Sequence, residues 1–242
     1  MYKPIDDEIF HVHTYRCGHA SEHSDEDYVI KAIELGAKRI VFTDHAPFPG
    51  DPFGSRMKMD EYEGYIDSVN SLKDKYHDQI EVLCGLEIEF FPQYMDYYKS
   101  LNDSEAIDVM ILGQHMFRHE DGHYNFLDKD RSDEFYGISL AVLDAVETGF
   151  FDVIAHPDRM FSRYGKWDAS TQNAADAIIA AAKSHNVFLE RNYSSIYREK
   201  NFVKEFWNNS IDSSMIIDGY DAHSADHLDL LWNSINLGKI NA

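Results

Sequence analysis

Seven short runs rich in β-branched and aromatic residues alternate with longer segments of helical periodicity, and that order leaves few architectures open. The runs are EIFHVH (8–13), RIVFTDH (39–45), EVLCGLEIEF (81–90), DVMILGQH (108–115), FDVIAHP (151–157), VFLERN (187–192) and MIIDGYDAH (215–223). Between them, DEDYVIKAIELGA carries apolar residues at helical spacing and stops at Gly36. SDEFYGISLAVLDAVETG and STQNAADAIIAAAKSH follow the same pattern, with Ser132 and Ser170 expected as N-caps. Seven β/α units in one continuous chain predict a parallel, barrel-like sheet of the α/β class. No Pro/Gly/Ser-rich linker, low-complexity tract or internal repeat interrupts them, so residues 1–242 are expected to form a single domain.

Charge narrows the partners. There are 43 acidic side chains against 22 basic ones, a formal net charge of −21. Such a chain repels phosphate backbones, which argues against nucleic-acid and anionic-membrane partners. No apolar run approaches the roughly 20 residues that span a bilayer, and MYKPIDDEIF lacks the basic-then-apolar order of a secretory signal. A cytoplasmic location is the expectation. Two cysteines, Cys17 and Cys84, do not make a disulfide framework and are read as reduced thiols. Oligomeric state is not legible.

The polar residues at the strand ends carry the chemistry. Strand one ends at His11 and His13, with His19 in the following loop; strand two ends at Asp44 and His45; strand three carries Glu87. Strand four ends at His115, strand five at His156, and strand seven at Asp221 and His223, while strand six offers only Arg191 and Asn192. In β/α barrels the loops after the strands converge on one face, so these residues would meet in space. Imidazoles and carboxylates are ligands for Zn²⁺, Mn²⁺ or Fe²⁺, and a carboxylate can bridge two ions. In an extended segment His11 and His13 point to the same side and can chelate one ion. A single strand histidine is more often a core residue. A shared position on six strands is hard to explain that way.

The stretches HVHTYRCGH, TDHAPFP, GLEIEF, LGQH, AHPD and DAHS resemble, in order and spacing, the PHP (polymerase and histidinol phosphatase) family, and within it the monofunctional histidinol-phosphate phosphatases. That resemblance implies a distorted (β/α)7 TIM-like barrel with three divalent transition-metal ions. His11, His13, Glu87 and Asp221 would hold the first ion. Glu87 would bridge to a second, completed by His115 and His156, and His19, His45 and His223 would hold the third. The implied reaction is hydrolysis of L-histidinol phosphate to L-histidinol and phosphate, in histidine biosynthesis, by a hydroxide shared between two ions. The alternatives are a PHP-type protein-tyrosine phosphatase, another small-molecule phosphoesterase, or a non-catalytic metal-binding protein.

Charge on the phosphoryl oxygens must be balanced, and the guanidinium fork suits that task. Arg159 follows AHPD, and Arg198 stands where family members have Arg after an NTSG-like turn, here NYSS without the glycine. Arg163, Lys166 and Arg191 are alternatives. Asp158 is the candidate to protonate the leaving alkoxide, and Asp44 is either a supporting group or a proton donor. The stretch APFPGDPFGSRMKMDEYEGY would supply an acidic, aromatic lid for a small phosphomonoester bearing an amine and an imidazole. His23, His77, His119, His123, His185 and His227 read as surface, with His119 and His123 within reach of substrate. Cys17, among the first histidines, is a weaker candidate ligand.

Overall fold

The first β/α unit shows how local sequence sets the architecture. The structure, a computed structural model, describes residues 2–236. β1 (Glu8–Val12) leads into α1 (Asp25–Leu35), whose start is fixed by a reciprocal cap. Ser24 Oγ accepts from the Asp27 N–H, and the Asp27 carboxylate accepts from the Ser24 N–H at 2.8 Å. Asp25, Glu26 and Asp27 sit at the positive end of the helix dipole. Gly36 ends the helix at φ 83°, a left-handed conformation that an L side chain resists.

The chain then repeats the pattern. β2 (Arg39–His45), α2 (Tyr62–Tyr76), β3 (Glu81–Ile88), α3 (Met95–Asn102), β4 (Val109–Leu112) and α4 (Phe135–Glu147) form the first part. β5 (Val153–Ile154), α5 (Ala169–His185), β6 (Phe188–Asn192), the short α6 (Tyr193–Tyr197) and α7 (Lys204–Trp207), β7 (Ile216–Gly219) and α8 (Ala225–Asn236) complete it. The strands lie in sequence order in one sheet, each neighbouring pair parallel. Past β7 the chain returns to β1: Tyr220 N donates to Phe10 O at 2.8 Å, Ala222 N to His11 O at 3.1 Å, and His13 N to Ala222 O at 2.9 Å. These contacts close a distorted (β/α)7 barrel.

Strand alternation divides the core in two. Phe10, Val41, Val109, Ile111, Val153 and Ile217 pack together inside the barrel. Ile40, Phe42, Val82, Leu86, Met110 and Leu112 pack outward beneath the helices. On β3 this phase puts Glu87 on the inner face. β1 breaks the phase: between its pairs Ile9–Ile40 and Val12–Phe42 it advances three residues while β2 advances two. The extra residue is His11, at φ 70°. Phe10 and His13 are an odd number of residues apart, so only this bulge lets both face inward.

Some boundaries differ from the sequence reading. β5 is shorter than 151–157 because His156 turns at φ 34° and ends the strand. α4 begins after Glu134 rather than at Ser132, with no side-chain cap. α5 is capped by Asp168, not Ser170: the Asp168 carboxylate accepts from the N–H groups of Ser170 and Thr171, while Ser170 lies in the first turn. No helix among the described residues is long and apolar enough to cross a membrane.

Candidate metal centre

At the C-terminal end of the barrel, Glu87 is met by imidazoles from four other strand ends. Its Oε1 lies 3.0 Å from His156 Nε2 and 3.6 Å from His115 Nε2. Its Oε2 lies 3.4 Å from His11 Nε2, 3.4 Å from His13 Nε2 and 3.0 Å from His45 Nδ1. Each oxygen therefore faces its own set of nitrogens, as a bridging carboxylate requires. His11 and His13 bring their Nε2 atoms to 3.0 Å of one another, through the bulge rather than through plain alternation. Asp221 Oδ1 is 3.4 Å from His13 Nε2. Outside this cluster, His19 Nε2 and His223 Nε2 approach to 3.0 Å, with the His13 ring stacked 4.4 Å from that of His223.

His45 stands between the groups. Its ring is 4.4 Å from His13 and 5.4 Å from His19, while its Nδ1 faces Glu87. Ligand atoms within mutual reach form overlapping sets: His11, His13 and Glu87; His45, Glu87 and His115; His13, His45 and His223. All nine candidate ligands thus lie in one constellation. Buried His13 Nδ1 and His45 Nδ1 form no hydrogen bond, although His45 Nδ1 is 3.0 Å from a carboxylate oxygen. Buried polar atoms left in this way fit a site built for cations.

Three of the candidate ligands have left-handed backbone. His11, His156 and Asp221 have φ of 70°, 34° and 48°, a region that costs a non-glycine residue roughly 1–3 kcal/mol. Two carboxylates that the sequence reading did not single out as ligand supports hold the rings in place. Buried Glu190 places Oε1 at 2.5 Å from His11 Nδ1 and accepts from the His156 N–H at 2.8 Å through Oε2. Glu89 lies 2.9 Å from His115 Nδ1 and also pairs with Arg56. Carboxylates of this kind fix ring orientation and tautomer for the nitrogen that faces the site. Glycines make the room: a Cβ at Gly113 would overlap the Glu87 carboxylate, and one at Gly219 would overlap that of Glu190.

The electrostatics suit cation binding. Burial opposes charge on Glu87, but His45, His11 and His115 outweigh it and hold its carboxyl well below the usual range. Burial likewise opposes charge on Asp221, which Arg159 and His13 overcome. Burial, helped by Arg159, depresses His156 to about 4; burial and His13 depress His223 to about 3. Neutral imidazole is the ligating form. His11 and His13 go the other way: burial opposes their charge, but Glu190 and Glu87 hold His11 well above the usual range, and Asp221 and Asp44 lift His13 to about 9.

A cavity of about 530 Å³ opens over the centre. Arg159, Arg198, Arg56 and Lys200 line it. Arg159 Nη2 donates to Asp221 Oδ2 at 2.8 Å and to Ser195 Oγ at 3.1 Å. A second cavity, about 540 Å³, adjoins it and shares His115 and Arg159.

Several candidates lie elsewhere. Asp158 does not line the main cavity: its Oδ2 accepts from the Val203 N–H at 2.7 Å, its Oδ1 is buried without a hydrogen-bond partner, and burial lifts its carboxyl to about 7. Arg191 pairs with Asp218, Lys166 with Asp168 and Arg163 with Glu134, and none of the three lines the main cavity. Buried Asp44 contacts Thr14 and lies 3.5 Å from His13 Nδ1, a supporting position. The aromatics of the lid stretch, Phe48 and Phe53, pack against Phe91, leaving Ser55 and Arg56 at the mouth. The mouth is therefore basic, not acidic and aromatic. Cys17 lies near His19 and His223, but burial lifts its thiol to about 12, which disfavours the thiolate a metal needs. Of the histidines read as surface only His77 is fully so; His23, His119, His123, His185 and His227 are half-buried, and His227 Nδ1 is enclosed.

Comparison with known proteins gives the family and the fold. The PHP domain family model matches residues 10–194. The histidinol-phosphatase of Bacillus subtilis (strain 168) is 33% identical over 128 residues, 50% of this chain and 47% of that protein. The match thus spans about half the length of that relative. The probable histidinol-phosphatase of Deinococcus radiodurans is 26% identical over 180 residues, 71% of this chain and 68% of that protein. The crystal structure of histidinol phosphate phosphatase from Lactococcus lactis, in complex with zinc, L-histidinol and phosphate, superposes with a TM-score of 0.72 at 22% identity. That superposition covers 96% of this chain and 91% of that one, and it bears on the fold. The chain belongs to the PHP domain family.

Proposed function

We propose that this chain is a metal-dependent phosphomonoesterase that hydrolyses L-histidinol phosphate to L-histidinol and phosphate. The observation that carries the reading is Glu87, whose two oxygens face separate imidazole sets beneath a cavity lined by Arg159 and Arg198. The names of the Bacillus subtilis and Deinococcus radiodurans relatives, and the ligands of the Lactococcus lactis structure, support the substrate. The proposal extends to a single catalytic domain acting in the cytoplasm on a small molecule rather than a nucleic acid.

Three divalent transition-metal ions (Zn, Mn or Fe) are assigned to the constellation. His11, His13, Glu87 and Asp221 would hold one; Glu87, His115 and His156 a second; His19, His45 and His223 a third. When bound, such ions supply Lewis-acid stabilisation of phosphoryl oxygens and lower the pKa of water at the site. The chain's own groups do the remaining work. Arg159 and Arg198 grip the phosphoryl oxygens and offset the charge that develops on them. Glu190 and Glu89 hold His11 and His115 in register. The adjoining cavity, with Gln114, Glu134 and Ser162 on its wall, gives the leaving alcohol room.

Kinetics on a panel of phosphomonoesters, with metal content measured on the same sample, tests this. Histidinol phosphate should give the highest kcat/KM, and activity should track bound metal. Turnover of phosphotyrosine peptides without turnover of histidinol phosphate would replace the substrate assignment with the phosphatase alternative. Metal-loaded protein inert on every ester would overturn the enzymatic reading.

A further inference from the structure

We propose that the hairpin after β4 carries a separate surface site for one borderline divalent cation, held by His119, His123 and Asp128. It is distinct from the centre around Glu87, and none of its three residues lines the cavity there.

The backbone builds the site. Residues 118 and 124 form an antiparallel bridge, His119 N donates to His123 O at 2.8 Å, and Gly122 N donates to His119 O at 2.9 Å. Gly122, at φ 98°, allows a turn this tight. The two imidazoles consequently stack with centroids 4.1 Å apart and planes 17° from parallel. Asn125 then directs the chain beneath them. Its buried side chain accepts from the Phe117 N–H at 2.9 Å and donates to Glu134 at 3.0 Å. The next turn delivers Asp128, whose Oδ2 lies 2.9 Å from His119 Nε2 and whose Oδ1 lies 2.8 Å from His123 Nε2. On the other side of the His123 ring, Nδ1 is 2.6 Å from Asp121 Oδ1.

Proton counting shows what this arrangement favours. A neutral imidazole has one N–H, yet both nitrogens of His123 face carboxylate oxygens. A neutral ring leaves one contact without a proton, and the hydrogen bonds to Asp128 and Asp121 accordingly raise the pKa of His123. A proton fills the gap in the metal-free state; a divalent cation at Nε2 can take its place while Nδ1–H continues to donate to Asp121, the carboxylate–histidine–metal arrangement that orients ligands in metalloproteins. Two imidazoles and one carboxylate bring one negative charge to a doubly positive ion, and Asp121 adds the second. For metal–donor bonds of about 2.0–2.1 Å at tetrahedral angles, donors sit roughly 3.3 Å apart. Each nitrogen contacts a different Asp128 oxygen and the rings are close to parallel. Binding one ion therefore requires the two rings to swing until both Nε2 lone pairs meet at it; all three side chains are partly exposed and free to make that adjustment. The donor set favours Zn²⁺, Ni²⁺ or Cu²⁺ over Mg²⁺ or Ca²⁺. An occupied site would pin the hairpin, and with it Tyr124, which packs on Phe53 of the loop bearing Arg56.

Equilibrium dialysis of the full chain against Zn²⁺, with zinc per chain measured, tests the site. The double variant His119→Gln/His123→Gln should bind one equivalent fewer than wild type. Asp128→Asn preserves the shape and should weaken that equivalent about 10- to 100-fold. Glu87→Gln should lower occupancy of the barrel centre while leaving the hairpin equivalent in place, which separates the two sites. With Cu²⁺ as probe, spin resonance should show nitrogen coupling that disappears in the double variant. Equal zinc stoichiometry and affinity in wild type, the double variant and Asp128→Asn would overturn the proposal.

Discussion

Glu87 and the arginines above it are separable by their chemistry. Replacing Glu87 by Gln keeps the shape but removes the charge that both imidazole sets converge on. Activity should fall on the order of 100-fold or more, with metal content falling in parallel and the fold retained. Circular dichroism, metal analysis and kinetics on one preparation check this, and near-wild-type kcat would move the bridging role to Glu89. Arg198→Ala should retain metal yet lose roughly 10- to 100-fold in kcat/KM, since a hydrogen bond to a charged group is worth about 1.5–3 kcal/mol. Inhibition by free phosphate should weaken with it. Arg159→Ala is expected to behave less cleanly. Its guanidinium also holds Asp221, so that variant should lose metal as well as phosphate affinity.

The elements explain why some of this was legible in the sequence and some was not. Strand cores and the histidines at their ends announce themselves, because a period of two and metal-type donors are both local signals. The β1 bulge is not local. It is imposed by the need to face Phe10 and His13 inward together, which only the closed barrel makes a constraint. Glu190 was hidden for a similar reason. Strand six was read through Arg191 and Asn192, although alternation places Phe188, Glu190 and Asn192 on one face. The signal that could have exposed it is Gly219 on the neighbouring strand, where a side chain would collide with the Glu190 carboxylate. Gly219→Ala should therefore be destabilising by about 1–3 kcal/mol through overpacking, and should loosen His11 and with it metal retention. Gly64, within α2 and with open space around it, is the control. Alanine there should stabilise by about 0.5–1 kcal/mol. Denaturant unfolding of both variants, with metal content, checks the pair.

At the scale of the molecule, the candidate ligands come from the ends of β1, β2, β3, β4, β5 and β7, and the sheet is closed by bonds between the β7 return and β1. Ions held there would cross-link strands distant in sequence at the place where the barrel is least regular. Several titratable side chains are also buried together at that end, at a cost that bound cations would offset. Any ligand that binds only the folded chain stabilises it by mass action, about 2.7 kcal/mol for a single site at a hundredfold excess over Kd. For a chain of 150–250 residues each kcal/mol moves Tm by roughly 2–4 °C, so stripping one such ion should lower Tm by about 5–10 °C. Calorimetry before and after chelation, and again after restoring Zn²⁺, Mn²⁺ or Fe²⁺, measures this. The loss should be reversed by metal and should be smaller in Glu87→Gln, which has less bound metal to lose. An unchanged Tm on complete metal removal would mean that the barrel end is held by its hydrogen bonds alone.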